Sequence, residues 1–432
     1  MNIWIFHHYA ITPDMPGSTR HYDLSRELVK RGHKVTIFTK SFHHYLHKEM
    51  RLGPGEKWKL EEVDGIRFVW IRTPPYWKND WRRVRNMVVF GARAWWLGLR
   101  LPKIVPEVEK PDVIIGSSPD LLTPPAAYRV ARHYGVKFIM EVRDLWPQTL
   151  IDMGALSPHH PVTKGLQALE ELLYRRAERI ITLLPLAHEY ITGLGIPEDK
   201  IVWIPNGVDI SRFASTARPE ANHERFQVMY LGAHGQANAL DVLIQAAKII
   251  QDRGFQKIKF VLVGDGPEKP RLMALARKMG VTNVEFRDPV PKKEAPKILS
   301  ESDILILNLE KVEVFKYGIS PNKLSDYMSV ARPIIFSVNA INNPVKEAGC
   351  GLTVPPRDPK ALAEAIIQLY QMPEEEREAM GRRGREYVER HHDIRKLGER
   401  LEGVLEEAVG CSKTRVEAYA REGERWSVYP FG

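Results

Sequence analysis

Cysteine is almost missing from this chain: Cys350 and Cys411 are the only two in 432 residues. That excludes a disulfide-stapled scaffold and a cysteine zinc cluster. Long apolar runs are also lacking, and none approaches the roughly 18 residues of a membrane-spanning helix. The opening MNIWIF has no basic flank and stops at His7 and His8, so it does not read as a secretory signal, and a cytoplasmic location is expected. There is no spaced triple-glycine fingerprint of a dinucleotide binder. Nor does an Asp-x-Asp pair stand beside the glycine turns, so metal-independent chemistry without a cofactor is expected. With 44% hydrophobic and 27% charged residues the chain is ordinary globular material, long enough for two or three domains.

What is present is a surplus of positive charge in one place. The net charge is +9. Residues 1–200 hold 29 Lys/Arg against 22 Asp/Glu, and within them residues 66–104 hold nine basic residues and one acid, Asp80. Such a patch suits nucleic acid, an anionic membrane or phosphorylated substrates.

Strand-like runs at Ile3–Phe6, Val35–Thr39, Arg67–Ile71, Val113–Gly116, Phe138–Val142 and Ile180–Leu183 alternate with helical patterns that close on Gly32 and Gly135. After the turn Pro205-Asn-Gly-Val-Asp209 the pattern restarts at Val228–Leu231, Phe260–Val263, Val284–Phe286, Ile304–Leu307, Ile334–Ser337 and Leu352–Val354. Apolar strands with helical crossovers predict parallel sheets covered on both faces. The fold class is therefore α/β: two doubly wound, Rossmann-like domains joined near residue 205, with a ligand in the cleft between them. Residues 374–410 read as helical; residues 411–432 have no assigned role.

Four stretches carry chemistry. Thr12–Thr19 (TPDMPGST) follows the first strand and precedes a helix near Arg20; Gly17 permits close backbone approach, and helix-start amides attract phosphate. In the second half Tyr230-Leu-Gly-Ala-His-Gly235 and Val263-Gly-Asp-Gly-Pro267 are glycine turns after strands, able to line one crevice. In Ser320–Met328 (SPNKLSDYM), Asn322 and Asp326 fall on one helix face with Lys323 in the first turn. A cation beside helix-start amides suits a diphosphate, and a carboxylate one turn on can accept ribose hydroxyls; a capped amphipathic surface helix is the plainer alternative.

The ordered set of Pro16-Gly17-Ser18 with Arg20, PNGVD, YLG, VGDGP and SPNKLSDYM resembles the family 4 retaining glycosyltransferases of the GT-B fold, from residue 1 to about 410. The variants EVRDLWP (Glu141–Pro147) and SPNKLSDYM are most similar to the subgroup that makes cell-envelope glycans, many of whose members transfer N-acetylated aminodeoxysugars such as N-acetylfucosamine. The resemblance implies an acceptor-side domain at 1–204, a nucleotide-sugar domain at 205–392 and a helix near 393–410 packed back on the first. It implies that Gly17 and Ser18 face the donor phosphate, that Gly264 and Gly266 line the nucleotide side, and that Asp326 matches the second acid of the Glu-x7-Glu motif. The first acid is missing, since Gly318 stands there. The family's diphosphate-binding Arg and Lys are missing too; His234 and Asn238 occupy that region, and Lys323 is the candidate replacement charge. The family's His-Asp reads Arg143-Asp144 here, which makes Asp144 the candidate to orient the sugar; a structural Arg-Asp ion pair is the alternative.

Residues 81–103 are the remaining informative stretch. On a helix Trp81, Val84, Val88, Trp95 and Leu99 share one face and Arg82, Arg93 and Arg100 the opposite one, with Trp96 beside Trp95. This describes a helix lying on an anionic membrane surface; a core-facing helix with solvated arginines is the alternative. Together with Arg20, these residues form the expected acceptor or membrane side.

The leading expectation is a retaining transferase that moves a sugar, an N-acetylated hexosamine or deoxyhexosamine, from a UDP-sugar to a lipid-linked or glycan acceptor at the inner membrane face. Asp144, Arg143 and Lys323 are its candidate catalytic residues. A non-hydrolysing nucleotide-sugar epimerase shares the architecture. A basic binding protein without catalysis is the third reading, with nucleic acid disfavoured because the charge sits in one tryptophan-rich segment.

Overall fold

The structure is a computed structural model that describes residues 1–213 and 225–410; the 411–432 stretch, with Cys411, lies outside the described residues. Two sheets organise the chain. The first has the order β3-β4-β2-β1-β5-β6-β7-β8, from β1 (Asn2–Phe6), β2 (Lys34–Lys40), β3 (Trp58–Val63), β4 (Ile66–Ile71), β5 (Val113–Ser117), β6 (Lys137–Val142), β7 (Arg179–Thr182) and β8 (Ile201–Trp203). The second has the order β11-β10-β9-β12-β13-β14, from β9 (Phe226–Leu231), β10 (Ile258–Val263), β11 (Val284–Arg287), β12 (Ile304–Asn308), β13 (Ile334–Ser337) and β14 (Gly351–Val354).

Successive side chains of a strand point to opposite faces, and both faces here are buried. On β1, Trp4 and Phe6 enter one core with Phe38, Phe90, Leu97 and Leu101, while Ile3 and Ile5 enter another with Leu24, Leu28 and Leu397. The second sheet repeats this, with Val228 and Tyr230 on one side and Met229 on the other.

Three features differ from the sequence reading. The first sheet is not wholly parallel, because β3 pairs antiparallel with β4 at the edge. Its WKLEEV sequence alternates only weakly, as expected of an edge strand half in water. A helix at Pro161–Arg176, led by Pro and capped by His160, was not anticipated. The 374–410 stretch, read from its residues as one helical run, is two helices, Glu374–His391 and Ile394–Val409, the second at the place the family resemblance implied, with the break where Val208 and Asp393 form a bridge. The Val208 amide donates to the His392 carbonyl and the Ile394 amide to the Val208 carbonyl, at 2.9 and 3.0 Å.

Asp393 caps the second of these helices, which lies against the Arg20–Lys30 helix of the first domain and buries Leu397, Leu401 and Leu405 there. Each such side chain contributes about 1.5–3 kcal/mol. The chain thus crosses between the domains twice, and the crossings are hydrogen-bonded to each other.

Candidate active site

The site is built from loops at the carboxyl ends of the parallel strands, where open α/β sheets bind ligands. At the end of β6, Glu141 accepts from Arg20 Nε at 3.0 Å, from His21 Nε2 at 2.6 Å and from the Ser117 hydroxyl. Burial works against the Glu141 carboxylate, but His21 and Arg20 outweigh it and hold its pKa well below the ordinary range. Arg20 also donates to the carbonyls of Pro205 and Ile204. The expectation that Arg20 serves the acceptor or membrane side is therefore corrected: it is a buried strut that fixes the interdomain turn.

Arg143 and Asp144 follow directly. They do not form an ion pair: the Arg143 guanidinium donates through Nη1 to His7 Nε2 at 2.9 Å. That bond requires a neutral acceptor nitrogen on His7, and burial, reinforced by His21, presses its pKa well below the usual value. His7 and His8 are both fully buried, His8 in the wall of the cavity that Asp144 faces. Asp144 faces a cavity of about 250 Å³ together with Gly17, Ser18, Arg143 and Asn322. The protein crowded around it raises its carboxyl pKa, with Arg143 opposing. Gly17 has φ +137°, and a Cβ there would lie 2.9 Å from Ile11 Cδ1.

From the second domain, Lys323 stands in the first turn of the Asn322–Ser329 helix. Its ammonium donates to Tyr230 Oη at 2.6 Å and Asn238 Oδ1 at 2.7 Å, beneath the 232–235 turn. A side chain at 232 would push Lys323 aside, since a Cβ there would come 2.2 Å from Lys323 Cε. Burial lowers the Lys323 pKa to about 7. The turn at Gly264 and Gly266 interlocks with the 232–235 turn, since a Cβ on Gly264 would fall 1.9 Å from the Gly232 carbonyl oxygen. Between them lies His234, buried with both ring nitrogens lacking a partner; burial, then Lys269, lowers its pKa to about 4. Asp326 is buried, and its Oδ2 is held by Lys292, a residue the sequence reading missed.

The two halves of the site meet. Ser18 Oγ donates to Asn322 Oδ1 at 2.9 Å, and the Lys292 and Lys293 amides donate to the Met15 and Pro13 carbonyls at 3.2 Å. Among the described residues no group of three or more His, Cys, Asp or Glu is arranged to hold a metal ion.

The Trp81–Ile104 helix sends Arg83 to the wall of this cavity. Its core face is Met87, Phe90, Ala94, Leu97 and Leu101. Trp81 is 64% exposed, Val88 52% and Trp96 47%, and Trp95 is exposed as well. These residues are therefore not core. The expected division into a tryptophan face opposite an arginine face is corrected. Arg82 stacks over Trp81 at 5.8 Å and Arg100 over Trp96 at 4.7 Å, so the cations lie beside the rings. Leu99 packs inward instead, and Arg93 donates to the Arg72 carbonyl. No described helix is long and apolar enough to cross a membrane.

Two doubly wound domains with glycine turns facing across one cleft define a GT-B glycosyltransferase fold. Residues 17–207 match the glycosyl transferase 4-like domain and residues 225–372 the glycosyl transferases group 1 domain, and the chain belongs to this glycosyltransferase family. Among curated proteins it is similar to WcaI of Escherichia coli, named as a glycosyl transferase of colanic acid biosynthesis, at 22% identity over 88% of this chain and 94% of that one. Among solved structures, sucrose-phosphate synthase from Thermosynechococcus elongatus aligns with TM-score 0.72 and 16% identity, over 95% of this chain and all of that one. HepE of Anabaena, solved with UDP-glucose, aligns with TM-score 0.66 and 12% identity, over 94% and 100%.

Proposed function

We propose that this protein transfers a sugar from a UDP-sugar to a lipid-linked or glycan acceptor of cell-envelope polysaccharide synthesis, with retention at the anomeric carbon and without a metal. One observation carries the reading: the Lys323 ammonium sits under the glycine turn where the family's cations are missing, bonded to Asn238 itself. The kinship with a colanic acid transferase supports the glycan assignment, and the UDP-glucose complex of a structural neighbour supports the donor. An N-acetylated hexosamine or deoxyhexosamine is the sugar that the motif variants favour.

In this reading Lys323 and the Gly17–Ser18 turn hold the donor diphosphate, with Gly264 and Gly266 against the nucleotide. Asp326, whose Oδ2 is taken by Lys292, offers Oδ1 to ribose hydroxyls. Asp144 orients the sugar. The acceptor hydroxyl attacks from the face the diphosphate leaves; the C1–O bond to phosphate breaks, the C1–O bond to the acceptor forms, and the proton passes to a phosphate oxygen of UDP. Catalysis then rests on positioning and on charge neutralisation at the leaving group. The exposed tryptophans and arginines of the Trp81–Ile104 helix hold the enzyme on the anionic cytoplasmic face of the membrane.

A thermal-shift comparison tests the donor assignment. UDP at about 100 times its dissociation constant adds about 2.7 kcal/mol of stability, and it should stabilise more than GDP or ADP. Stronger stabilisation by GDP rejects the UDP assignment. Donor turnover that ignores added acceptor indicates an epimerase instead.

A further inference from the structure

The end of the cavity lined by Lys40 and Arg83 holds positive charge that the transfer reaction leaves unused. Lys40, the last residue of β2, is 5% exposed. Its ammonium stands over the rings of Tyr9 at 4.2 Å and Tyr76 at 5.0 Å and donates one hydrogen bond, to Tyr76 Oη at 3.0 Å. An ammonium has three donors, so part of its capacity is directed at ring faces and the cavity. Arg83 reaches the same cavity from the Trp81–Ile104 helix, donating to Tyr9 Oη at 3.3 Å and Asn79 Oδ1 at 2.9 Å, while its Nε is buried with no partner. Arg143 completes the set, spent on a neutral histidine.

Among the described residues no carboxylate comes within ion-pair distance of Lys40, Arg83 or Arg143. Asp120, the acid that acts on Lys40 and Arg83 through space, is already committed to the Leu122 and Thr123 amides and the Thr123 hydroxyl, with Oδ2 3.3 Å from His8 Nδ1. A buried ammonium and half-buried guanidiniums without an ion-pair partner are costly, and an incoming anion relieves that cost. Burial, then Arg83, presses the Lys40 ammonium well below the ordinary lysine range, with Asp120 opposing.

We infer that this end of the cavity binds the phosphate that joins the acceptor's sugar to its lipid, with Lys40 and Arg83 as its ligands and Arg143 on the donor side. Position decides for a lipid phosphate over an acceptor carboxylate. Arg83 lies within one turn of the exposed Trp81 and Val84, so one helix carries both a wall residue of the cavity and the surface proposed to meet the membrane. A group that is anionic and sits between a lipid tail and a sugar is the phosphate at the lipid's head. The inference rests on the reading above, in which the acceptor occupies the first domain.

The test titrates the full chain, with UDP saturating, using farnesyl diphosphate, farnesol and inorganic pyrophosphate, by calorimetry. Farnesyl diphosphate should bind more tightly than pyrophosphate and at least about tenfold more tightly than farnesol, the scale of one charge-assisted contact. Arg83→Gln and Lys40→Met should each weaken it by about tenfold or more, and Arg83→Lys should recover most of the loss. UDP affinity, measured on the same samples, should stay unchanged and certify the fold. Farnesol binding as tightly as farnesyl diphosphate overturns the inference, as does indifference to Arg83 and Lys40. A preference for pyrophosphate also overturns it, by marking free phosphate as the ligand. Affinity that follows Lys323 instead places the probe in the donor site and overturns it too. If wild-type protein does not bind UDP, the donor assignment fails separately, and sensitivity to Arg83 rather than Lys323 still decides the phosphate site.

Discussion

Two charged clusters at the cleft invite comparison, because they use similar residues in opposite ways. Around Glu141 the charges close on each other: Arg20, His21 and Ser117 fill the carboxylate, and Arg20 spends its other donors on backbone carbonyls. Around Lys323 and His234 the account stays open: a single lysine has only a phenol and an amide for partners, and a buried imidazole has none. Partnered buried charge fixes geometry, whereas under-partnered buried charge stores a demand that a ligand can meet. The proposed function uses the difference, with the first cluster as scaffold and the second as binding site.

The largest effect should come from breaking the closed cluster. Glu141→Ala leaves Arg20 buried without its counter-ion, and removing one partner of such a pair costs about 3–5 kcal/mol. Urea denaturation should show that loss, with UDP affinity unchanged in the protein that remains folded. A stability loss under about 1 kcal/mol would erase the distinction between the clusters.

Acid offers the next test. His7 and His8 are held neutral by burial, His8 with a pKa of about 4. A base with a depressed folded pKa is indifferent above the unfolded value near 6.5 and costs stability below it, because only the unfolded chain takes up the proton. Stability should therefore fall as pH drops from about 6.5 toward 4, by about 2 kcal/mol at pH 5 from His8 alone. A flat profile over that interval would contradict it.

Lys323→Met should do the reverse of Glu141→Ala. Folding stability should hardly move, while UDP affinity falls by about tenfold, or 1.4 kcal/mol, and uridine affinity stays level. Wild-type UDP affinity should also weaken as pH rises through about 7, where Lys323 loses its proton, and the variant should lack that step. Equal losses for UDP and uridine would move Lys323 into the scaffold.

The smallest effect on the fold is expected from Trp95→Ala combined with Trp96→Ala. Both side chains are exposed, so stability should change by no more than about 0.5 kcal/mol. Cosedimentation with anionic liposomes should drop and should weaken with salt. Unchanged liposome binding would remove this helix from the membrane surface.

The glycine turns and the Ser320–Met328 motif were legible because their chemistry is local: each lies within nine consecutive residues at a strand or helix end. Lys40 and Arg83 were not. Lys40 reads as a solvated strand-end lysine, and Arg83 disappears in a run of basic neighbours; only the packing of β2 against the Trp81–Ile104 helix brings them to one cavity. Arg20 misled for the same reason, since its partners Glu141 and Pro205 lie 121 and 185 residues away. The break at His392–Asp393 has no proline or glycine to announce it; the family resemblance alone placed a boundary there, and its cause is the pairing with Val208.

That pairing has a mechanical meaning. Two crossings tied at Val208 and His392 have the geometry of one axle, since the chain passes between the domains at a single hydrogen-bonded place. The contacts of Met15 with Lys292 and of Ser18 with Asn322 lie on the cleft side of that axle and work as its clasp. In the proposed function a donor seated between Gly17 and Lys323 would lie across the clasp, and a rotation at Val208 would change how far Asp144 stands from the sugar.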